Sequence, residues 1–302
     1  MLINNLNHSD KPMNKNLTQS RSQSKKIINR RGFSSIFATL SACLLSFPVG
    51  AYAASDATDP PDVLLRTPVR SLDLTTGFQH LTNGLAPWRQ LTLHGVYEKD
   101  SNVFQGELSH KREFDTTGNF LGLSDTYTIN SDWFTSGSIG FGDGAFYLPK
   151  VRFDGFLYRK WLPKKNLVSS IGVGYYDAPD GHIDRSIALG GAYYFSQPWV
   201  VEGGVRFNRS NPGRINTHQQ FIAVNFTPNP QDSLSARYAW GSEGYVPLAA
   251  KTSIVGFNST DASISWRHRL DAQWGFSVSA NRYHNPSYQR SGIDVGLMRQ
   301  FD

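Results

Sequence analysis

Among the places where this sequence sets a serine close to a histidine, two stand out. Ser109 and His110 are adjacent in "LSH", and His284 and Ser287 share the stretch "YHNPSY". A serine activated by a histidine base is the pair that cleaves acyl esters. The chemistry also needs a third group to orient the base. Neither stretch supplies one, so a hydrolase acting on lipid is the weakest functional reading and the chain is expected not to be an enzyme. Metal chemistry fares no better. The eight histidines (8, 80, 94, 110, 182, 218, 268 and 284) are scattered, with no H-x-x-x-H spacing. "DAPDGHID" at 177–184 is acidic with a glycine but lacks the ligand spacing of a calcium loop, and it reads as a turn. No cofactor is expected.

A larger set of charged residues is more informative. Asp73, Glu107, Lys111, Arg152, Asp154, Lys160, Glu202, Arg206, Arg237, Arg267, Arg269 and Asp294 each sit on the polar parity of a segment whose other parity is apolar. In 151–161, Val151, Phe153, Gly155, Leu157 and Trp161 fall on one face. Arg152, Asp154, Tyr158 and Lys160 fall on the other. Rings of charge that line a conduit set its selectivity. The same charges, paired across a lumen, would instead plug it.

Positioning such a set takes strands. From residue 71 onward the chain is a string of alternating segments of about ten residues. They cover 71–80, 89–98, 103–112, 121–129, 133–141, 151–161, 167–176, 183–195, 199–207, 220–226, 234–240, 262–270, 274–283 and 292–301. That predicts fourteen strands, or twelve if a strand has been split. In the fourth segment Asp125 falls on the apolar parity of Leu121, Leu123 and Tyr127, which predicts a bulge or slipped register there.

The connections alternate in length. "KDSN", "NSD", "PKKN", "SQP", "TPNPQD" and "DAQ" are short; "GDGAFYLPK", "NRSNPGRINTH" and "GSEGYVPLAAKTSIVGFNSTD" are long. Short periplasmic turns and longer extracellular loops are the pattern of an outer-membrane barrel. The last of the long stretches is expected either to fold inward as a constriction or to lie outside as a binding surface. Aromatics gather at both ends of the segments. Trp133, Trp161, Phe195, Trp199, Phe226, Trp274 and Phe301 border short turns, and Phe78, Phe141, Tyr176, Phe207, Trp240 and Tyr283 lie near the opposite ends. Two belts of amphipathic rings mark two membrane interfaces. Mean hydropathy is −0.39, a value that an alternating barrel reaches without being soluble.

The chain ends inside its last segment, "SGIDVGLMRQFD". Asp294, Gly296 and Phe301 resemble the assembly signal with which bacterial outer-membrane proteins close. Arg299 stands where a hydrophobic residue is usual, and Asp302 follows Phe301.

The other end reads as an export signal. Lys25, Lys26, Arg30 and Arg31 precede the uncharged run "GFSSIFATLSACLLSFPVG", and "AYA" predicts cleavage after Ala53. Two alternatives remain open: "LSAC" resembles a lipobox that would lipidate Cys43, and "RRGF" a twin-arginine motif. Residues 1–53 hold 7 of the 30 Lys and Arg and 1 of the 24 Asp and Glu, leaving 23 of each in the mature chain. The basic balance belongs to the signal, so no nucleic-acid partner is expected. Cys43 is the only cysteine, so the mature chain has no disulfide framework. Residues 54–69 read as a short periplasmic leader and 70–302 as one barrel domain.

With these features in place, the chain resembles the YaiO-type outer-membrane β-barrels, through "SLDLTTGFQHL", "VRFDGFLYRKWLPK", "LSARYAWGSEGY" and the closing strand. The resemblance implies an outer-membrane barrel whose activity is not established. Some relatives carry a helical-repeat domain before the barrel, a pattern seen in exporters of surface polysaccharide; here only the short leader precedes it. The expected fold is an all-β, antiparallel transmembrane barrel in the outer membrane of a Gram-negative cell. The leading functional expectation is a passive or export pore for small or saccharide-like solutes, ahead of a closed structural or adhesive barrel. Expected partners are outer-membrane lipid and lipopolysaccharide, the barrel-assembly machinery and a polysaccharide or small solute. The oligomeric state is left open.

Overall fold

The computed structural model describes residues 69–301 apart from 197. The signal, the Cys43 lipobox, the cleavage site after Ala53 and nearly all of the leader lie outside the described residues.

Fourteen strands are present: β1 (Arg70–Leu81), β2 (Trp88–Lys99), β3 (Asn102–Glu113), β4 (Thr116–Thr128), β5 (Trp133–Gly142), β6 (Val151–Trp161) and β7 (Leu167–Asp177), then β8 (Ile183–Tyr194), β9 (Trp199–Asn211), β10 (Ile215–Phe226), β11 (Asp232–Ala249), β12 (Thr252–Arg269), β13 (Trp274–His284) and β14 (Gln289–Phe301). Each pairs antiparallel with its sequence neighbours, and β14 pairs with β1 from Arg70↔Phe301 to Leu81↔Arg290. The sheet is therefore a closed ring. Closure is what hydrocarbon demands. A backbone group left unpaired in lipid costs several kcal/mol, and a ring has no edge.

The side-chain distribution is inside out. Leu297 is 48% exposed on the outer face, while Asp294 on the same strand is 1% exposed on the inner one. Leu72, Leu74, Leu91, Leu93, Ile187 and Leu189 repeat the pattern around the ring. In water this apolar sleeve would be strongly unfavourable, and in a bilayer it is the solvated surface.

Both ends of the ring's chain, at β1 and β14, lie on one rim, called here the terminal rim. The other is the far rim. The terminal rim has the connections 100–101, 129–132, 162–166, 195–198, 227–231 and 270–273. The long loops expected on the far rim are mostly strand. "NRSNPGRINTH" completes β9 and begins β10, leaving only 212–214 as a turn. The stretch 241–261 completes β11 and begins β12 around a turn at 250–251. β10 follows β11 only as far as Gln219↔Gly241, and β13 follows β12 only to Thr260↔His284. The hairpin above those levels is flanked by neither strand.

That hairpin is neither a coil folded inward nor a loop lying outside. Its Leu248 packs on the apolar cluster of Leu81, Trp88, Tyr283 and Tyr288 at one side of the mouth. Its Tyr245 stacks on His182 at 4.8 Å and donates to the Pro212 carbonyl at the other. It leans over the opening as a strap. One loop does fold in, 143–150 between β5 and β6. Leu148, Ala145 and Tyr147 pack on Phe120, and a side chain at Gly118 would collide with all three.

The bulge expected at Asp125 is absent. β4 pairs without interruption through Phe104↔Asp125 and Asp125↔Gly137. Asp125 faces outward with Leu121, Leu123 and Tyr127, near the terminal-rim end of its strand. The regular ladder outweighs one misplaced carboxylate, because a charge near the interface costs about 0–1 kcal/mol. The register shift that does occur lies in the strap, between Pro247 and Ala249.

Candidate functional site

Strand alternation brings all twelve sequence-selected charges to the inner face. Asp154 of β6 accepts from Arg152 at 2.6 Å and from Arg206 of β9 at 3.1 Å. Asp73 of β1 faces Arg267 of β12 at 3.6 Å and His94 of β2 at 3.7 Å. Glu202 accepts from Asn225, Glu107 from Ser109, and Gln300 from Arg269. Lys160, Arg237 and Lys111 lie over the rings of Phe134, Phe221 and Phe120. Arg206 thus reaches from β9 to Asp154 on β6, and Arg267 from β12 to Asp73 on β1, each spanning three strand spacings of the wall.

Asp294 serves the seam. It stands opposite Gly77, where any side chain would land on its carboxylate. Its oxygens accept from Gln90 of β2 at 2.8 Å, and from Ser279 at 3.1 Å and Asn281 at 3.2 Å on β13. One carboxylate thus ties β2, β13 and β14 together across the junction of first and last strand.

The lumen has two chemical halves. Toward the terminal rim, Phe134 and Tyr158 stack at 4.4 Å, and Phe156, Val168 and Phe221 join them. Toward the far rim lies a polar cleft lined by Arg152, Asp154, Asp184, Arg206, Asn208, Gln219 and Glu243. Sequence reasoning missed Glu113, Asp184, Glu243, Asp261 and Arg290. Arg290 is 2% exposed, faces Asp261 at 3.7 Å and lies over Trp88 and Tyr283. Glu113, Glu243, Asp261 and Arg290 lie where the strands outrun the alternation. Asp184 lies inside the 183–195 segment, and its polar parity is the available signal. Burial pushes the Tyr288 hydroxyl, in the 285–288 turn beside Arg290, well above its ordinary range.

The aromatic sites divide. Trp133, Trp161, Trp199, Trp274 and Phe301 stand at the terminal rim and face outward. Three outward arginines rest on this belt: Arg159 over Trp161 at 3.7 Å, Arg299 over Trp274 at 5.1 Å and Arg70 over Tyr97 at 5.4 Å. Trp240 faces outward but does not mark a strand end, because β11 runs on to Ala249. Tyr176 and Tyr283, expected in the far belt, face inward; Tyr283 donates to Glu243 at 2.8 Å. Phe301 and Gly296 take their places in the β1–β14 ladder.

The serine–histidine pairs do not assemble. Ser109 is buried on the inner face and bonds Glu107, while His110 is exposed on the outer face and meets Asn119 at 2.8 Å. Adjacent strand residues point apart, so that pair cannot exchange a proton. Ser287 lies in a turn whose Asn285 side chain accepts from its backbone N–H, and His284 is exposed at the end of β13. In "DAPDGHID", Asp180 is taken up by His182 at 2.6 Å. Among the described residues no group of three or more histidine, cysteine or acidic side chains could hold a metal ion.

The YaiO membrane beta barrel domain matches residues 69–246. The chain belongs to the YaiO membrane β-barrel family. Its solved structural neighbours are outer-membrane barrels. The CymD monoaromatic hydrocarbon channel superposes with a TM-score of 0.52 at 9% identity, covering 78% of this chain and 88% of that one. The loop-deleted OmpT of Vibrio cholerae gives 0.47 at 10% identity, over 78% and 99%. Omp33 of Acinetobacter baumannii gives 0.46 at 10% identity, over 76% and 98%. At such identities the likeness is one of fold. No curated protein sequence matches the chain. This YaiO-family chain is thus a closed, antiparallel, fourteen-stranded outer-membrane barrel.

Proposed function

We propose that this barrel is a pore for small or saccharide-like solutes, without catalytic activity of its own. The observation that carries the reading is the two-part lumen. Sugars present hydroxyls and apolar C–H faces together. The far half is lined by carboxylates, guanidinium groups and amides, and the terminal half is walled by the packed, buried rings of Phe134, Tyr158, Phe156 and Phe221. The pairs Arg206–Asp154 and Arg267–Asp73 each join strands three apart along the wall, which suits a lined conduit. In this reading the signal is cleaved after Ala53, the assembly machinery inserts the barrel, the terminal rim faces the periplasm and the far rim faces outward. Its twelve inward charges then act as the selectivity lining.

A closed structural or adhesive barrel is the second reading, favoured by the strap of β11 and β12 over the mouth. Planar-bilayer conductance of the refolded mature chain separates the two. Discrete current steps are expected, with ion selectivity shifted toward cations in R152E/R206E and current blocked by added oligosaccharide. Silence from a barrel whose heat-modifiable migration proves it folded would overturn the pore and leave the closed barrel.

A further inference from the structure

The outer face of the far rim carries two rows of the same design. On β1 to β4, Phe78, Arg89, Arg112 and Thr117 stand directly opposite one another in sequence. On β7 to β10, Tyr175, Arg185, Arg209 and Asn216 do the same. Each row reads aromatic, arginine, arginine, small polar. All four arginines are exposed and share a side of the sheet with the apolar sleeve. Ile187 and Phe207 lie one step further into the sleeve from the second pair.

Like charges directly opposite on a ladder repel. Their Cβ atoms are about 5 Å apart, too close to ignore each other at a membrane surface. Within the protein the repulsion is barely answered. Arg112 reaches Asp115 at 3.1 Å, an exposed pair of the kind that contributes little. Arg89 lies over Phe78 at 5.9 Å. Among the described residues neither Arg185 nor Arg209 has a side-chain acceptor. Two such pairs, both on the outer face of one rim, call for an anion from outside. Guanidinium forks match phosphate oxygens bidentately, and two opposed forks can close on a single phosphate. The flanking tyrosine, threonine and asparagine add donors to the remaining oxygens, and the apolar sleeve below takes acyl chains.

We infer that each arginine row is a binding site for the phosphorylated headgroup of a lipid in the leaflet around the far rim, one lipid per row. The inference concerns the outer surface rather than the lumen. It shares with the proposed function only the orientation that puts this rim in the outer leaflet. Binding in detergent does not depend on that orientation, so failure of either reading is visible without the other.

The test is native mass spectrometry of the folded full-length protein in detergent. It is titrated with bisphosphorylated lipid A, with lipid A stripped of its phosphates, and with inorganic phosphate as competitor. The wild type is expected to retain two bisphosphorylated lipids, each at least about tenfold tighter than the phosphate-free form. R89Q/R112Q and R185Q/R209Q should each retain one, and the quadruple variant none. R214Q, in the 212–214 turn outside both rows, should retain two. R185K/R209K keeps the charge without the fork and should bind the second lipid with intermediate affinity. Equal affinity of the wild type for both lipids, or two lipids on R185Q/R209Q, overturns the inference. Displacement of the lipid by inorganic phosphate assigns the rows to a free anion and overturns the lipid source. If a glutamine variant fails to fold, the wild-type comparison of the two lipids decides alone.

Discussion

The two rims use the same cation in different company. At the terminal rim each outward arginine lies on a ring: Arg159 on Trp161 and Trp133, Arg299 on Trp274 and Phe301, Arg70 on Tyr97. At the far rim Arg89 faces Arg112 and Arg185 faces Arg209. A ring satisfies a guanidinium from within the protein and asks nothing of the lipid. A second guanidinium raises the demand for an anion. The difference teaches that a barrel's two collars can be fitted to different surfaces while the wall between them stays uniform.

That contrast can be broken most severely by moving one design to the other rim. Trp274 stands opposite Arg299, so W274R builds an arginine pair into the terminal rim. Losing the partly buried ring and adding the repulsion should lower stability by about 2 kcal/mol, read as the urea midpoint of refolding into vesicles. Phosphorylated lipid added to those vesicles should restore part of the loss, and a variant as stable as wild type without it would erase the distinction between the rims. A milder change, W161A, removes the ring closest to Arg159 and leaves Trp133 in place. The same measurement should show about 1 kcal/mol lost, with lipid A binding at the far rim unchanged.

The smallest effect is one of pH, at the turn that delivers Trp274 to its belt. Hydrogen bonds from the Trp274 and Gln273 backbone N–H groups, both 2.7 Å, hold the Asp271 carboxyl below its ordinary 3.8. A depressed folded-state value means that the contribution is fully present above about pH 4 and is lost as pH falls through the folded value. The unfolding midpoint should therefore drop on acidification below pH 4, and D271N should remove that component of the drop. An identical acid profile in D271N would show that the turn does not depend on this charge.

Much of this architecture is legible in one strand at a time. Alternation placed the twelve lumen charges on the inner face because a wall between hydrocarbon and a polar interior forces a period of two. The same rule explains where reading failed. Above the sleeve the outer face no longer requires apolar side chains, so polar residues stand on both faces of "NRSNPGRINTH" and of much of the 241–261 stretch, which resemble loops although their backbones pair. Glu243 and Asp261 were hidden in that region. At Asp125 the pattern was read correctly as broken, but the backbone did not bend to repair it. The arginine rows were invisible for another reason. Each arginine is visible as an outward residue, but their opposition is a matter of register between strands, which no single segment encodes.

The Asp294 buckle bears on how the ring comes to be shut correctly. Sliding β14 by one residue against β1 would turn Asp294 toward lipid and strip it of Gln90, Ser279 and Asn281. A slide by two would press the carboxylate on a neighbour with a side chain where Gly77 has none. The seam therefore carries its own register mark: the aligned closure sets the carboxylate against Gly77 and gives it its three partners.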